Sequence, residues 1–228
     1  MGQAAGMASD PGSRAPRLAE STRVEAFSDG VFAIALTLLV LDLRSPGIKG
    51  GFAHALLSQW PAYLAYLAAF LNIAAIWINH HELFTLVRQV DARVICANLL
   101  LLLVASLFPW PAAVISSAVR DGSHDDQVAA TVLYATVGFL VPLAWIVLYR
   151  YLSRAPHLLT DPAAAGYARL GVRRSLTSVV VYPAAAALAF AEPLAALAAF
   201  AALPLFFIAT VVRPFRKDGR PGPPPDDQ

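Results

Sequence analysis

The chain has 228 residues, of which 58% are hydrophobic and only 14% charged, with a formal net charge of +2. This balance is far more apolar than a single soluble core of this length requires, so it excludes an ordinary soluble domain and predicts a membrane protein. The residues before Arg23 contain no apolar run, so we expect no cleavable signal peptide. The single cysteine, Cys96, cannot form an intramolecular disulfide.

Six apolar stretches are long enough to cross a hydrocarbon core of about 30 Å, which needs roughly 20 helical residues. We place them near residues 24–43, 55–79, 92–119, 128–151, 170–190 and 193–212. The pattern predicts an all-α membrane protein with one domain of six transmembrane helices over residues 23–213. Segments 1–22 and 214–228 are rich in Pro, Gly and charge, which predicts two disordered tails.

Basic residues are distributed unequally between the two sides of the predicted bundle. If the first residue is cytoplasmic, 14 of the 17 Lys and Arg residues fall in inside segments. The three on the outside are Arg44, Lys49 and Arg120. This bias follows the positive-inside rule and predicts that both termini face the cytoplasm.

The first span begins with polar residues, "RVEAFSDGV", before a continuous apolar run. Asp29 lies six residues beyond Arg23, about 9 Å deeper at a rise of about 1.5 Å per residue. An ionisable group at that depth costs a few kcal/mol unless it is paired or hydrated, and such groups are often functional. The alternative is that Asp29 only ties two helices together by a hydrogen bond.

Depth along the predicted spans also suggests partners for Asp29. The second span ends in "WINHH", which brings Trp77, His80 and His81 to the same level, and Asn98 lies equally deep in the third span. One histidine of the pair is expected to join Arg23, Ser28, Asp29 and Asn98 in a polar cluster. Adjacent histidines point about 100° apart on a helix, so "HH" is weak evidence for a metal site.

The opposite face of the first span is apolar. At about 100° per residue, Phe27, Gly30, Leu38 and Leu41 fall within about 40° of Ile34, whereas Asp29 lies about 140° away. Thr37 lies at the margin of this stripe. For a single helix such a stripe is usually lipid contact or core packing, so periodicity alone does not predict a pore.

The first two spans resemble the bacterial branch of the transmembrane protein 175 family. The matching patterns are R-x-x-x-F-S-D (Arg23, Phe27, Ser28, Asp29), the following "GVFAIALTLLVLDL", and W-x-x-H-H (Trp77, His80, His81). The family consists of potassium channels, and its animal members reside in endosomes and lysosomes. The resemblance covers roughly residues 20–213, and the first-span motif is its specific part.

The resemblance implies a role for each face of the first helix, which in such channels lines a central pore. Large aliphatic residues form the constriction, which here corresponds to Ile34, Leu38 and Leu41, with Thr37 facing or flanking the path. A polar network holds the helix in place, and the corresponding residues are Arg23, Phe27, Ser28, Asp29, Trp77, His80, His81 and Asn98.

The resemblance also implies how the chain assembles. One first helix cannot enclose a pore, so four copies are needed, and a homotetramer in the bacterial inner (plasma) membrane is expected. The permeant potassium ion would pass along the stripe from Ile34 to Leu41. No cofactor, structural metal or nucleic-acid partner is expected.

Three other functions are less consistent with the sequence. A proton-coupled secondary transporter using Asp29 and a histidine is the main alternative, although no inverted repeat or pair of broken helices supports it. A membrane enzyme built on His80, His81 and Glu82 lacks a nucleophile motif, metal-ligand spacing and a nucleotide-binding loop. A purely structural membrane subunit is the third.

Overall fold

A computed structural model describes residues 18–43 and 51–215, and it is mostly helical over these ranges. The helices of the described residues are α1 Thr22–Leu38, α2 Phe52–Leu57, α3 Trp60–Thr85, α4 Ala92–Ser106, α5 Pro109–Asp121, α6 His124–Arg154, α7 Ala165–Leu188 and α8 Pro193–Phe215. Two short strands, β1 (Ala19–Glu20) and β2 (Gln89–Val90), pair antiparallel.

Within these ranges, four segments are long and apolar enough to cross a membrane: Thr22–Leu41, Trp60–Thr85, Ala92–Asp121 and His124–Arg154. They match the first four predicted spans, so the chain is a multi-pass membrane protein. Helix α7 has 24 residues but carries Arg169, Arg173 and Arg174 in its N-terminal half, which lowers its apolarity. In α8 the apolar stretch runs over Pro193–Leu205.

Proline gives the physical reason for two of the differences between the predicted and the observed spans. The third span consists of α4 and α5, because Pro109 and Pro111 start a new helix after a turn at Leu107 and Phe108. The second span begins later than predicted, at Trp60, where Pro61 occupies the first helical turn. It also extends past the histidine pair to Thr85, so His80 and His81 are helical.

One end of the bundle, which we call the motif end, gathers the start of α1, the end of α3 and the start of α4. There β1 pairs with β2, with Ala19 opposite Val90. The loop after α3 is also tied to the loop after α6, because Arg88 N donates to Leu158 O over 2.9 Å and Thr160 N donates to Leu86 O over 2.9 Å.

The predicted tails are described only in part. Residues 1–17 and 216–228 lie outside the described residues, whereas 18–22 contain β1 and the start of α1, and 214–215 end α8.

Helices α6 and α7 pack closely at two points, each of which pairs a glycine with a tyrosine ring. A methyl group on Gly138 of α6 would overlap the ring of Tyr182 on α7. A methyl group on Gly171 of α7 would lie 2.7 Å from ring atoms of Tyr149 on α6. The two contacts are reciprocal and therefore fix the register of the antiparallel helices.

Asn72 on α3 satisfies several buried polar groups in the core. Its amide nitrogen donates to Tyr134 Oη and to the carbonyl oxygen of Phe200, each at 3.1 Å, and its oxygen accepts from Tyr182 Oη at 3.1 Å. Because Asn72 is only 4% exposed, these bonds offset the cost of burying an amide.

Candidate functional site

Helix α1 presents two different faces. Ser28, Phe32 and Ala35 are buried against the rest of the chain, at the spacing of one side of an α-helix. The predicted stripe lies on the other side and is exposed within one chain, at 57% for Phe27, 61% for Ile34, 45% for Leu38 and 72% for Leu41. Four large apolar side chains therefore lack a partner in the described part of the chain.

The other stripe residues are also open. A methyl group placed on Gly30 would meet nothing within 4 Å. Thr37 is exposed, and its hydroxyl donates to the backbone oxygen of Ile34, three residues earlier, over 2.9 Å. The hydroxyl oxygen keeps its acceptor lone pairs and lies on the same side as the apolar stripe.

Behind α1, three buried polar side chains form a hydrogen-bonded chain across three helices. Ser28 Oγ donates to Val24 O over 2.8 Å, Asn98 Nδ2 of α4 donates to Ser28 Oγ over 2.9 Å, and Asn98 Oδ1 lies 2.9 Å from His80 Nε2 of α3. Ser28, His80 and Asn98 are at most 1% exposed. The chain joins α1, α3 and α4 at the motif end.

The direction of these bonds assigns the tautomer of His80. Asn98 uses its amide nitrogen as donor to Ser28, so its oxygen is the acceptor and His80 Nε2 must carry the hydrogen. His80 Nδ1 is buried and has no hydrogen-bond partner among the described residues. The ring is held by Phe84, stacked at 4.2 Å, and by Phe32, edge-on at 5.3 Å.

A second set of polar contacts lies nearer the surface. Trp77 Nε1 donates to Asp29 Oδ1 over 2.9 Å, and the Trp77 ring stacks on His81 with ring centroids 5.8 Å apart. His81 Nδ1 lies 3.4 Å from Glu25 Oε1, so the two form an ion pair when the histidine is protonated. Asp29 and His80 thus belong to separate sets of contacts, one half-exposed and one buried.

The structure therefore brings some of the predicted network residues together and leaves others apart. Ser28, His80 and Asn98 meet, and so do Asp29, Trp77 and His81. Arg23 is exposed and makes no side-chain hydrogen bond or ion pair in the part of the chain that the structure describes. Phe27, which the motif grouped with the network, lies seven residues before Ile34 and shares its exposed face.

Glu25 was not assigned to the site from the sequence, although it contacts His81. It precedes Asp29 by four residues, so the two carboxylates lie on the same side of α1. This four-residue spacing is the feature of the sequence that could have assigned Glu25 to the site. In residues 18–43 and 51–215, no three His, Cys, Asp or Glu side chains group as metal ligands.

The hydrogen-bonded face of α1 determines where its apolar face points. Hydrogen bonds fix the rotation of α1 about its own axis, because Ser28 and Asp29 both bond to neighbouring helices. With that face held, the apolar stripe can only point away from the chain. The geometry suits a helix that presents apolar side chains to an assembly partner or to a central path.

Known proteins resemble this chain over most of its length. The family model described as endosomal/lysosomal potassium channel TMEM175 matches residues 23–109, a range that starts at Arg23. A potassium channel of Streptomyces collinus is 42% identical over 190 residues, which cover 82% of this chain and 91% of that protein. The endosomal/lysosomal proton channel TMEM175 of Gallus gallus is 38% identical over 114 residues, covering 46% of this chain and 23% of that protein.

A solved structure gives the same result. The crystal structure of a lysosomal potassium-selective channel TMEM175 homolog from Chamaesiphon minutus superposes with a TM-score of 0.72 at 30% sequence identity. The match covers 83% of this chain and 97% of that one. The family predicted from the first-span motif is confirmed by sequence and by fold: the chain belongs to the TMEM175 family.

Proposed function

We propose that the chain is a potassium channel, assembled as a homotetramer whose four α1 helices line a central pore. The observation that carries the proposal is the exposed apolar face of α1 opposite a hydrogen-bonded face. Relatives named potassium channels support it. Six transmembrane passes per chain, with α7 and α8 as the fifth and sixth, complete the proposed architecture.

Selection for potassium would occur at an apolar constriction. The sequence has no "TVGYG" segment, so a carbonyl ring of the usual potassium-channel kind is absent. In a narrow ring of Ile34, Leu38 and Leu41, an ion sheds part of its hydration with few side chains to replace it. Potassium holds its water less tightly than sodium and would pass at lower cost, which gives modest selectivity and leak-type conduction.

Four copies account for the exposed stripe. Large contiguous apolar patches usually mark an interaction surface, and in a bilayer a stripe on one helix is also compatible with lipid contact. The hydrogen bonds of Ser28 and Asp29 support the pore, because they would present the same apolar face of α1 in every copy. Thr37 would add hydroxyl groups beside the apolar layers.

Charge supports a cytoplasmic position for the motif end and for both termini in the bacterial plasma membrane. Among the described loops and helix ends, the basic residues at the motif end include Arg23, Arg88, Arg93, Arg150, Arg154 and Arg169, whereas Arg120 lies at the opposite end. This asymmetry agrees with the positive-inside rule.

Potassium and sodium flux from proteoliposomes tests the proposal, together with the native mass of the purified complex. We expect the mass of four chains and faster flux of potassium than of sodium. Replacing Ile34→Asn should raise flux and reduce selectivity, because a polar ring hydrates the constriction. The matched control is Leu103→Asn, since Leu103 of α4 is also exposed, at 59%, but lies off the stripe. A monomer without flux, or equal effects of both substitutions, would refute the proposal.

Proton transport is the second candidate, because an animal relative is named a proton channel. Asp29 and His81 offer titratable groups near the motif end, and a proton-coupled secondary transporter would use Asp29 with a histidine. Saturable transport that collapses with an uncoupler would favour the carrier. Ohmic single-channel currents of potassium would exclude it.

A further inference from the structure

A cavity lies inside the bundle, on the side of α3 that faces away from the polar contacts of α1. It lies between α3, α6, α7 and α8 and has a volume of about 70 Å³. This is room for a few water molecules or a small polar group. The polar residues that line it include Asn79, Tyr149, Arg174, Ser175 and Ser178.

The cavity lies towards the motif end of the bundle. Asn79 is six residues from the end of α3, Tyr149 is five from the end of α6, and Arg174 is nine from the start of α7. Each is therefore within about two and a half helical turns of that end. From there the cavity extends towards the middle of the bundle, along Asn72, Val141 and Tyr182.

Arg174 is the only charged residue on the wall of the cavity as the structure describes it. Its Nη2 atom is buried and has no hydrogen-bond partner in residues 18–43 and 51–215. The guanidinium lies over the ring of Tyr167, 5.2 Å from the ring centroid, a contact that supplies no hydrogen-bond acceptor in the plane of its N–H groups. The two ion pairs of the described residues lie elsewhere, at His81 with Glu25 and at Arg120 with Asp121.

A buried guanidinium nitrogen without an acceptor costs free energy that a bound acceptor would offset. Its planar array of donors matches the oxygens of a phosphate, which it binds by two parallel hydrogen bonds. Ser175 and Ser178 add hydroxyl groups close to it on α7. Much of the remaining wall is apolar, with Ile76, Val141 and Pro204, and so suits the glycerol or the start of an acyl chain of a lipid.

We propose that this cavity binds the phosphate group of an anionic membrane phospholipid, with Arg174 as its principal contact. The site is separate from the proposed pore and does not depend on it. A free inorganic phosphate has the same oxyanion chemistry and is the second possible source. If the cavity holds only water, Arg174 has no specific ligand.

Three probes distinguish these sources in the detergent-purified protein. Dioctanoyl phosphatidylglycerol carries both the phosphate and the acyl chains, dioctanoylglycerol carries only the chains, and inorganic phosphate carries only the oxyanion. We expect phosphatidylglycerol to raise the melting temperature and to give one adduct per chain by native mass spectrometry, and dioctanoylglycerol to do neither. The same response to inorganic phosphate alone would assign the oxyanion to a soluble source.

Arg174→Gln should weaken phosphatidylglycerol binding by about tenfold or more, because it removes the charged hydrogen bonds. The matched control is Arg173→Gln, since Arg173 is the adjacent residue of α7, carries the same charge and is exposed. Equal binding by these two variants would overturn the proposal. So would equal responses to phosphatidylglycerol and dioctanoylglycerol, or no response to any probe.

A second variant keeps the test decisive if Arg174→Gln does not fold. Ser178→Phe fills the cavity while retaining Arg174, and Ser178 is 6% exposed. It should reduce the number of phosphatidylglycerol adducts while leaving the helical circular dichroism signal unchanged. A folded Ser178→Phe variant that binds as the wild type does would also overturn the proposal.

Discussion

Trp77 of α3 donates its indole N–H to the Asp29 carboxylate over 2.9 Å. Asp29 is the deeper of the two acidic residues of α1, Glu25 and Asp29. The same indole ring stacks on His81, whose Nδ1 faces Glu25. Both carboxylates of α1 are thus contacted from one turn of α3. This part of α3 therefore holds the rotation of the pore helix that we propose.

Removing the indole N–H tests this contact while keeping an aromatic ring over His81. We expect Trp77→Phe to lower the free energy of unfolding by about 0.5–1.5 kcal/mol, because Trp77 and Asp29 are partly exposed. Thermal unfolding in detergent measures the change. Trp110→Phe is the control, since Trp110 is 57% exposed and makes no side-chain hydrogen bond among the described residues. An equal loss in the control would contradict the prediction.

The buried contacts behind α1 should be more sensitive than those of Trp77. Asn98→Ala removes the acceptor of His80 and the donor to Ser28, which we expect to cost about 2–3 kcal/mol. Ser28→Ala alone should cost about 1 kcal/mol. A double-mutant cycle should give a coupling of at least about 0.5 kcal/mol, and strict additivity would mean that the two residues act independently.

Asn79→Ala is the matched control for Asn98. The Asn79 amide donates only within its own helix, to Ala75 O over 2.8 Å, and the side chain is partly exposed. We expect a loss below about 1 kcal/mol, measured by the same unfolding experiment.

Much of the buried contact set could be predicted from the sequence, because depth follows from helix length. Ser28, Asn98 and the histidine pair lie at one level if the spans start at a common membrane surface. Which histidine points inward depends on the rotation of α3. The buried positions Ile73 and Ile76 lead by helical spacing to His80, and that periodicity was the signal that could have decided it.

Other features of the structure could not be predicted from the sequence. Arg174 was counted among the charges that set orientation, and nothing in the sequence reveals that it lines a cavity, since that depends on how α6, α7 and α8 surround it. The exposure of Phe27 followed from its spacing to Ile34, but the motif grouped it with polar residues. Contacts across helices far apart in sequence, such as Gly138 with Tyr182, depend on register that periodicity does not fix.

Low pH should destabilise the N-terminus of α4. Asp91 caps this helix, accepting from Arg93 N over 3.0 Å and Val94 N over 2.9 Å, and it also accepts from the Tyr151 hydroxyl. Partial burial acts to raise the pKa of Asp91, but the bonds from Tyr151, Val94 and Arg93 together lower it below its usual 3.8. The unfolded chain therefore binds more protons near that pH than the native chain does.

The stabilisation by Asp91 is complete above pH 3.8 and is lost as the pH falls through the lowered native pKa. Melting temperatures between about pH 5 and about pH 3 should fall more for the wild type than for Asp91→Asn, because asparagine also caps helices but does not ionise. Identical acid profiles would contradict the prediction.

The close approach of α6 and α7 gives a steric prediction. Gly171→Ala should lower the free energy of unfolding by about 1–3 kcal/mol, because the new methyl group meets the Tyr149 ring at 2.7 Å. Gly166→Ala on the same helix should be neutral or stabilising by up to about 1 kcal/mol, since its nearest atom is Arg169 Nη2 at 3.8 Å. Unfolding in detergent compares the two, and an equal response would rule out the steric cause.

The polar contacts of α1 with other helices all lie near its start, whereas Leu39, just past its end, is buried among apolar side chains. A tilt of α1 about its hydrogen-bonded residues Ser28 and Asp29 would therefore move its far end most. Leu41 lies twelve residues from Asp29, about 18 Å along the helix. A tilt of about 5° would then carry Leu41 about 1.5 Å sideways, the scale of helix shifts at switching interfaces.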